Sequence, residues 1–196
     1  MKLEHAFDVP ASPDQTMTLL LDAERVVPCM PGATLKEVVD EDTWKAEMGV
    51  KLGPVGMQFL VEVQLLDRDL DAHAVKLSLS GRDTRGKGGA EGSVDSRLTA
   101  LDDGGTRVEM ATDLRFSGQA AQLGRPSVVQ DVSNKLVNQF AECIKAQLSA
   151  SPEHAAEHVK KAQKPIPGIS LMVGALVASI KRVFGRGNGR KGGEAA

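Results

Sequence analysis

The sequence predicts an α+β domain in which a one-sided antiparallel sheet packs against a long helix at its C-terminal end, followed by a basic tail. Three observations carry this. Hydrophobic residues recur with a period of two from Thr34 to Phe116, the signature of half-buried strands. A stripe at three- and four-residue spacing then runs through Val129, Val132, Leu136, Phe140 and Ile144, the signature of an amphipathic helix. Last, the charge balance breaks sharply near the end of the chain. From Val159 onward there are eight basic residues and one acid, Glu194, or about +7; the formal net charge of the whole chain is -2, so residues 1–158 carry about -9. A basic tail on an acidic body is a strong asymmetry.

The elements follow in order. Leu3, His5, Phe7 and Val9 alternate with polar neighbours and predict a first strand over residues 2–9. Ser12-Pro13-Asp14-Gln15 reads as a helix start: Ser12 caps, Pro13 suits the first helical position and Gln15 completes a capping box. The predicted helix runs from Thr16 to Val27 and is broken by Pro28 and Pro31-Gly32. Trp44, Ala46, Met48, Val50 and Leu52 mark one strand, and Val55, Met57, Phe59, Val61, Val63 and Leu65 the next. Val75, Leu77 and Leu79 mark another, then Gly92, Val94, Ser96 and Leu98, and finally Val108, Met110, Thr112, Leu114 and Phe116. Turn chemistry separates these runs at Glu41-Asp42, Gly53-Pro54, Asp67 to Asp71, Gly86 to Gly89 and Asp102 to Gly105. The long helix is expected from Gln119 or Pro126 to Ser149, with Asp131, Asn134, Lys135, Asn138 and Glu142 off its apolar stripe. A curved sheet and such a helix must pack together, and the space between them is often left partly open.

At 196 residues the chain suits one domain over residues 1–150, a polar linker over 151–164 and a tail over 165–196. Aromatics make up only 3%, with no Tyr, so the core is built from aliphatics and Met, an adaptable material that suits a pocket. The N-terminal MKLEHAFDVPASPD has no apolar run of the kind a signal peptide needs. Cys29 and Cys143 stand far apart in unrelated contexts, so a cytoplasmic protein with reduced thiols is the expectation.

Motifs that would carry chemistry are weak. His154-Ala-Ala-Glu157-His158 matches the H-x-x-E-H pattern of some zinc proteases, but it lies in the polar linker without a third ligand. Gly81 to Gly88 nearly fits the phosphate loop G-x-x-x-x-G-K-[ST]; the last position is Gly88, where a magnesium-binding hydroxyl is required, and a strand rather than a helix follows. Neither cysteine has a histidine at a useful spacing, so an enzyme with its own chemistry is not expected. The basic clusters are not interleaved with stacking aromatics, which argues against nucleic acid.

The tail encloses an uncharged run, Pro165 to Ile180. Set as a helix, Ile169, Met172, Val173, Leu176, Val177, Ile180, Val183 and Phe184 share one side, flanked by Lys164, Lys181, Arg182 and Arg186. The run is short of the ~20 residues a spanning helix needs. A helix lying in the surface of an anionic membrane fits best. Packing back on the domain or docking in a partner's groove are the alternatives.

The chain resembles the CoxG family of carbon monoxide dehydrogenase subunits, within the START-like, or SRPBCC, helix-grip superfamily. The resemblance covers about residues 1–150. It rests on Pro31-Gly32-Ala33, on Lys51-Leu52-Gly53-Pro54 before the strand with Phe59, on the Gly86 to Gly92 hairpin, on Thr106, and on Phe116-Ser117-Gly118 leading through Leu123-Gly124 into the long helix. Arg125-Pro126 departs from the family's usual run there. The resemblance implies seven strands gripping the C-terminal helix around a hydrophobic cavity. It also implies a non-enzymatic role beside aerobic, molybdenum-containing carbon monoxide dehydrogenase, at the membrane where that enzyme's electrons go. The expected ligand is an isoprenoid quinone such as menaquinone, and the expected place is the cytoplasmic face of the cell membrane, held peripherally. The inward set expected to line the cavity is Met48, Val50, Met57, Phe59, Val61, Leu77, Met110, Leu114, Leu136 and Phe140. A ligand-free tether, a maturation factor or a general lipid-binding protein are the alternatives.

Overall fold

The computed structural model describes residues 1–52, 55–123 and 125–149. The linker over 151–164, its H-x-x-E-H motif and the tail over 165–196 lie outside the described residues.

Seven strands form one antiparallel sheet: β1 (Lys2–Val9), β2 (Ala33–Val38), β3 (Thr43–Leu52), β4 (Val55–Asp69), β5 (Ala74–Asp83), β6 (Gly88–Ala100) and β7 (Thr106–Ser117). Their order is β1-β7-β6-β5-β4-β3-β2, so β2 to β7 form a meander and β1 returns to pair with β7. Each inner residue of the period-two pattern faces the helices, as Leu3, Val75, Leu98 and Val108 show by their burial. β4 runs further than its turn residues predict, to Asp69. An irregularity between Leu65 and Asp67 shifts the register there; Leu65 stays buried while Leu66 is exposed.

Two predicted helices are each divided in two. The first is α1 (Pro13–Leu20), with the capping box formed between Ser12 and Gln15, then α2 (Ala23–Val26) and a 3₁₀ turn over Val27–Cys29. Asp22 starts the second piece by accepting a hydrogen bond from the Arg25 N–H at 3.2 Å, a cap that competes with continuing the first helix. The second is α3 (Gly118–Leu123) and α4 (Pro126–Ser149). Pro126 opens α4, where its missing N–H is harmless, and Pro disfavours the helical conformation in the residue before it.

The core fills one end of the sheet. Val9, Leu19, Leu65, Val75, Leu98 and Val108 meet Phe140, Cys143 and Ile144 of α4. Phe7 and Phe140 pack edge to face with ring centres 6.0 Å apart. The expectation of two unpaired thiols is corrected here. Cys29 and Cys143 are joined in a disulfide, their Cα atoms 5.4 Å apart across 114 residues of sequence. Distance along the chain hid the pair; the fold brings the 3₁₀ turn onto the C-terminal half of α4. Gln147 reinforces the junction: its Nε2 donates to the Arg25 carbonyl at 2.8 Å, and its Oε1 accepts from Arg25 Nε at 3.2 Å.

Candidate functional site

The other end of the sheet is hollow. Along β5 the inward positions run Val75, Leu77, Leu79, Gly81; along β6, in the same direction, Leu98, Ser96, Val94, Gly92, Ala90. Bulk therefore tapers to nothing toward the end where α3 and the first half of α4 lie. Large side chains cannot close the gap, and a cavity of about 200 Å³ remains. Met48, Val50, Met57, Phe59 and Val61 form its wall on β3 and β4, with Leu79 and Gly81 on β5, Ala90 on β6, and Leu114 and Phe116 on β7. Ala120 of α3 and Val129, Val132, Ser133 and Leu136 of α4 cover it.

Seven of the ten expected lining residues are brought together: Met48, Val50, Met57, Phe59, Val61, Leu114 and Leu136. Three are not. Phe140 is buried in the core, and Leu77 and Met110 pack against that same cluster. They share the right face but sit at the filled end. Gly81, Ala90 and Ala120 were missed because a missing side chain leaves no hydrophobic signal. The period of two places Gly81 and Ala90 inward all the same.

The cavity wall is almost wholly carbon. Ser133 is the one lining residue of α4 with a polar side chain, and its hydroxyl is already engaged. It donates to the Gln130 carbonyl at 3.0 Å and lies 3.3 Å from His5 Nε2. Asn134 Oδ1 accepts from Gln130 Nε2 at 3.0 Å and also from His5 Nε2 at 3.0 Å, so the ring carries its proton on Nε2. A histidine in that state cannot draw a proton from Ser133, so this pair is not an activated nucleophile.

A larger concavity, of about 670 Å³, opens on the opposite face of the sheet. Glu4, Asp67, Lys76, Asp95, Arg97 and Glu109 line it, all on outward positions, and Lys76 is paired with Asp95 at 3.2 Å. It is a charged surface groove rather than an enclosed site. The apolar cavity, though smaller, has the shape and chemistry of a ligand site.

The Gly81 to Gly88 loop shows why it does not bind phosphate. The buried Asp83 carboxylate accepts from the N–H groups of Arg85 at 3.0 Å, Lys87 at 3.1 Å and Gln58 at 3.4 Å. The loop's own donors are thus taken by its own carboxylate. The N–H of Lys87 first, then those of Arg85 and Gln58, hold the Asp83 carboxyl below its ordinary value. Among the described residues no cluster of His, Cys, Asp or Glu could hold a metal ion, and no helix is long and apolar enough to cross a membrane.

Other family-motif residues set the frame. Gly32 has φ +79°, and its carbonyl accepts from the Gly49 N–H at 2.9 Å. A Cβ at Gly32 would lie 2.6 Å from the Gly49 carbonyl oxygen. Thr106, fully buried, donates from Oγ1 to the Ala11 carbonyl at 2.6 Å. The family model for CoxG, the G-type subunit of carbon monoxide dehydrogenase, matches residues 6–149.

The chain belongs to the CoxG family.

The match spans β1 to the end of α4, and so takes in the whole cavity. It makes the chain a member of a family of dehydrogenase accessory subunits rather than of the catalytic ones. Solved structures share the fold at low identity. A conserved protein from Geobacillus kaustophilus superposes with a TM-score of 0.68 at 19% identity, over 76% of this chain and 95% of that one. Protein CV1439 from Chromobacterium violaceum gives 0.53 at 11%, over 74% and 96%. Truncated norcoclaurine synthase from Thalictrum flavum gives 0.50 at 15%, over 77% and 94%. No curated protein sequence matches this chain.

Proposed function

We propose that this CoxG protein is a non-enzymatic carrier. It takes up a hydrophobic ligand, an isoprenoid quinone such as menaquinone, and associates with the membrane through its C-terminal tail. It thereby couples aerobic molybdenum-containing carbon monoxide dehydrogenase to the respiratory quinone pool. The apolar cavity under the N-terminal half of α4 is the observation that carries the reading. A soluble dehydrogenase cannot reach a quinone that stays within a bilayer. A small protein with an oily hollow and a membrane-seeking tail can bridge that gap.

The energetics suit exchange. Leaving lipid for a carbon-lined cavity trades one apolar environment for another, so the ~25 cal/mol per Å² gained on leaving water is nearly cancelled. Loading and release are then both possible. The basic residues Lys164, Lys181, Arg182 and Arg186 would each add about 1 kcal/mol on an anionic surface. Norcoclaurine synthase shows that this fold also serves enzymes, but the cavity here presents no free acid, base or nucleophile. The modest size of the cavity favours one alternative, a tether that joins dehydrogenase to membrane without cargo.

Two measurements test the proposal. Mass spectrometry of an organic extract from the purified full-length protein should show an isoprenoid quinone at near one equivalent. Flotation with anionic liposomes should be lost when the chain is cut after Lys164. An empty extract with flotation intact moves the reading to the tether, and flotation of the truncated protein refutes the role of the tail.

A further inference from the structure

We infer that the cavity is a slot for the hydrocarbon chain of a prenyl lipid, with the lipid's polar head group held outside its mouth. The inference rests on the carrier reading and adds which part of the cargo the protein grips.

Hydrogen bonding is the first argument. Of the sixteen lining residues only Glu91 and Ser133 have polar side chains. Glu91 is exposed and, as a carboxylate, donates nothing. The Ser133 hydroxyl is held by Gln130 and His5. A quinone ring inside would exchange its carbonyls' bonds to water for none. A prenyl chain asks for none.

Volume is the second. An apolar cavity of about 150 Å³ takes benzene, roughly 25 Å³ per carbon. On that scale the 200 Å³ found here takes about eight carbons, between one and two prenyl units. A two-ring quinone head has twelve heavy atoms before any chain is added, and needs roughly 300 Å³ by the same scale. The head overfills the space; the first part of a chain fits it.

This orientation suits the chemistry. With the ring at the mouth its carbonyls stay solvated and open to a redox partner, while the chain supplies the grip. Gly81 offers a clean way to block the slot. A Cβ there would make ordinary contacts, 3.4 Å to Val61 Cγ2 and 3.5 Å to the Ala90 carbonyl, so Gly81→Val adds bulk at the cavity wall without straining the strand.

The test is a titration calorimetry series on the full chain. The probes are menadione (the ring without a prenyl chain), menaquinone bearing two prenyl units, and farnesol, a prenyl chain without a ring. Farnesol and the prenylated quinone should bind alike, each at least ~100-fold tighter than menadione. Gly81→Val should weaken both by about tenfold or more, with the circular dichroism melt unchanged. Menadione binding within tenfold of the prenylated quinone overturns the inference and leaves the carrier standing. So does failure of farnesol where the prenylated quinone binds. If no probe binds, the carrier reading fails and this inference fails with it. The wild-type series decides the matter even if the variant does not fold.

Discussion

Reducing the Cys29–Cys143 bond should destabilise the domain substantially. The bond closes a loop of 114 residues, most of the domain. The loop-closure entropy for that length is about 16 cal/mol/K, or about 5 kcal/mol at 25 °C. Domains of this size have ~5–15 kcal/mol in all, so the bond supplies a third or more of the total. The native contacts do not offset the loss, because the two sulfurs are buried and the packing around them is complete. The assay is urea unfolding with and without a thiol reductant, together with thiol titration of protein purified without reductant. With a slope of ~2 kcal/mol per molar urea, the midpoint should fall by about 2 M on reduction. Two free thiols in air-exposed protein, or coincident midpoints, would refute the reasoning.

Other perturbations separate the frame from the cavity. Phe140→Ala should cost ~3–5 kcal/mol of stability, read by chemical denaturation, because Phe140 belongs to the filled core and contacts Phe7. Gly32→Ala should cost more than ~1 kcal/mol, since a positive φ and a close approach to the Gly49 carbonyl both oppose a Cβ there. Asp83→Asn should loosen the β5–β6 hairpin at neutral pH. The native carboxyl is held below its ordinary value, so its contribution is full above the unfolded pKa of about 4 and is lost as pH falls through the native value. Denaturation of wild type and variant from pH 6 downward should therefore converge in acid; a gap that widens there contradicts the assignment. Amide hydrogen exchange should be faster over Val129 to Leu136 than over Phe140 to Gln147, because the disulfide and the Arg25–Gln147 pair fix only the second half of α4.

Much of the fold was legible because its signals are local. β1 ends where the alternation of Leu3 to Val9 ends, and Ser12 caps α1 through its own hydroxyl and Gln15. The breaks at Asp22 and before Pro126 show the limit of periodicity: both halves keep a helical pattern, and a cap or a proline decides where the chain turns. The disulfide depends on where the 3₁₀ turn lands on α4, which no local pattern reports. The cavity was half legible. The inward face can be read from alternation, but which stretch of that face is filled depends on tapering across neighbouring strands. Leu77 and Phe140 face the same way as Val61 and Leu136, yet one pair sits in core and the other at a void.

That division suits a carrier mechanically. α4 is one rigid element of 24 residues with two different undersides. Its C-terminal half meets Val9, Leu98 and Val108 and is tied covalently to the 3₁₀ turn, so the fold does not depend on the cavity being filled. Its N-terminal half spans a hollow where only Val129 is fully buried, while Val132, Ser133 and Leu136 are half-buried. Lifting that half would break few apolar contacts and no covalent bond, whereas lifting the other would cost most of the core. A domain built this way opens at one end at low cost, and the low-cost end is the one with room for a hydrocarbon chain.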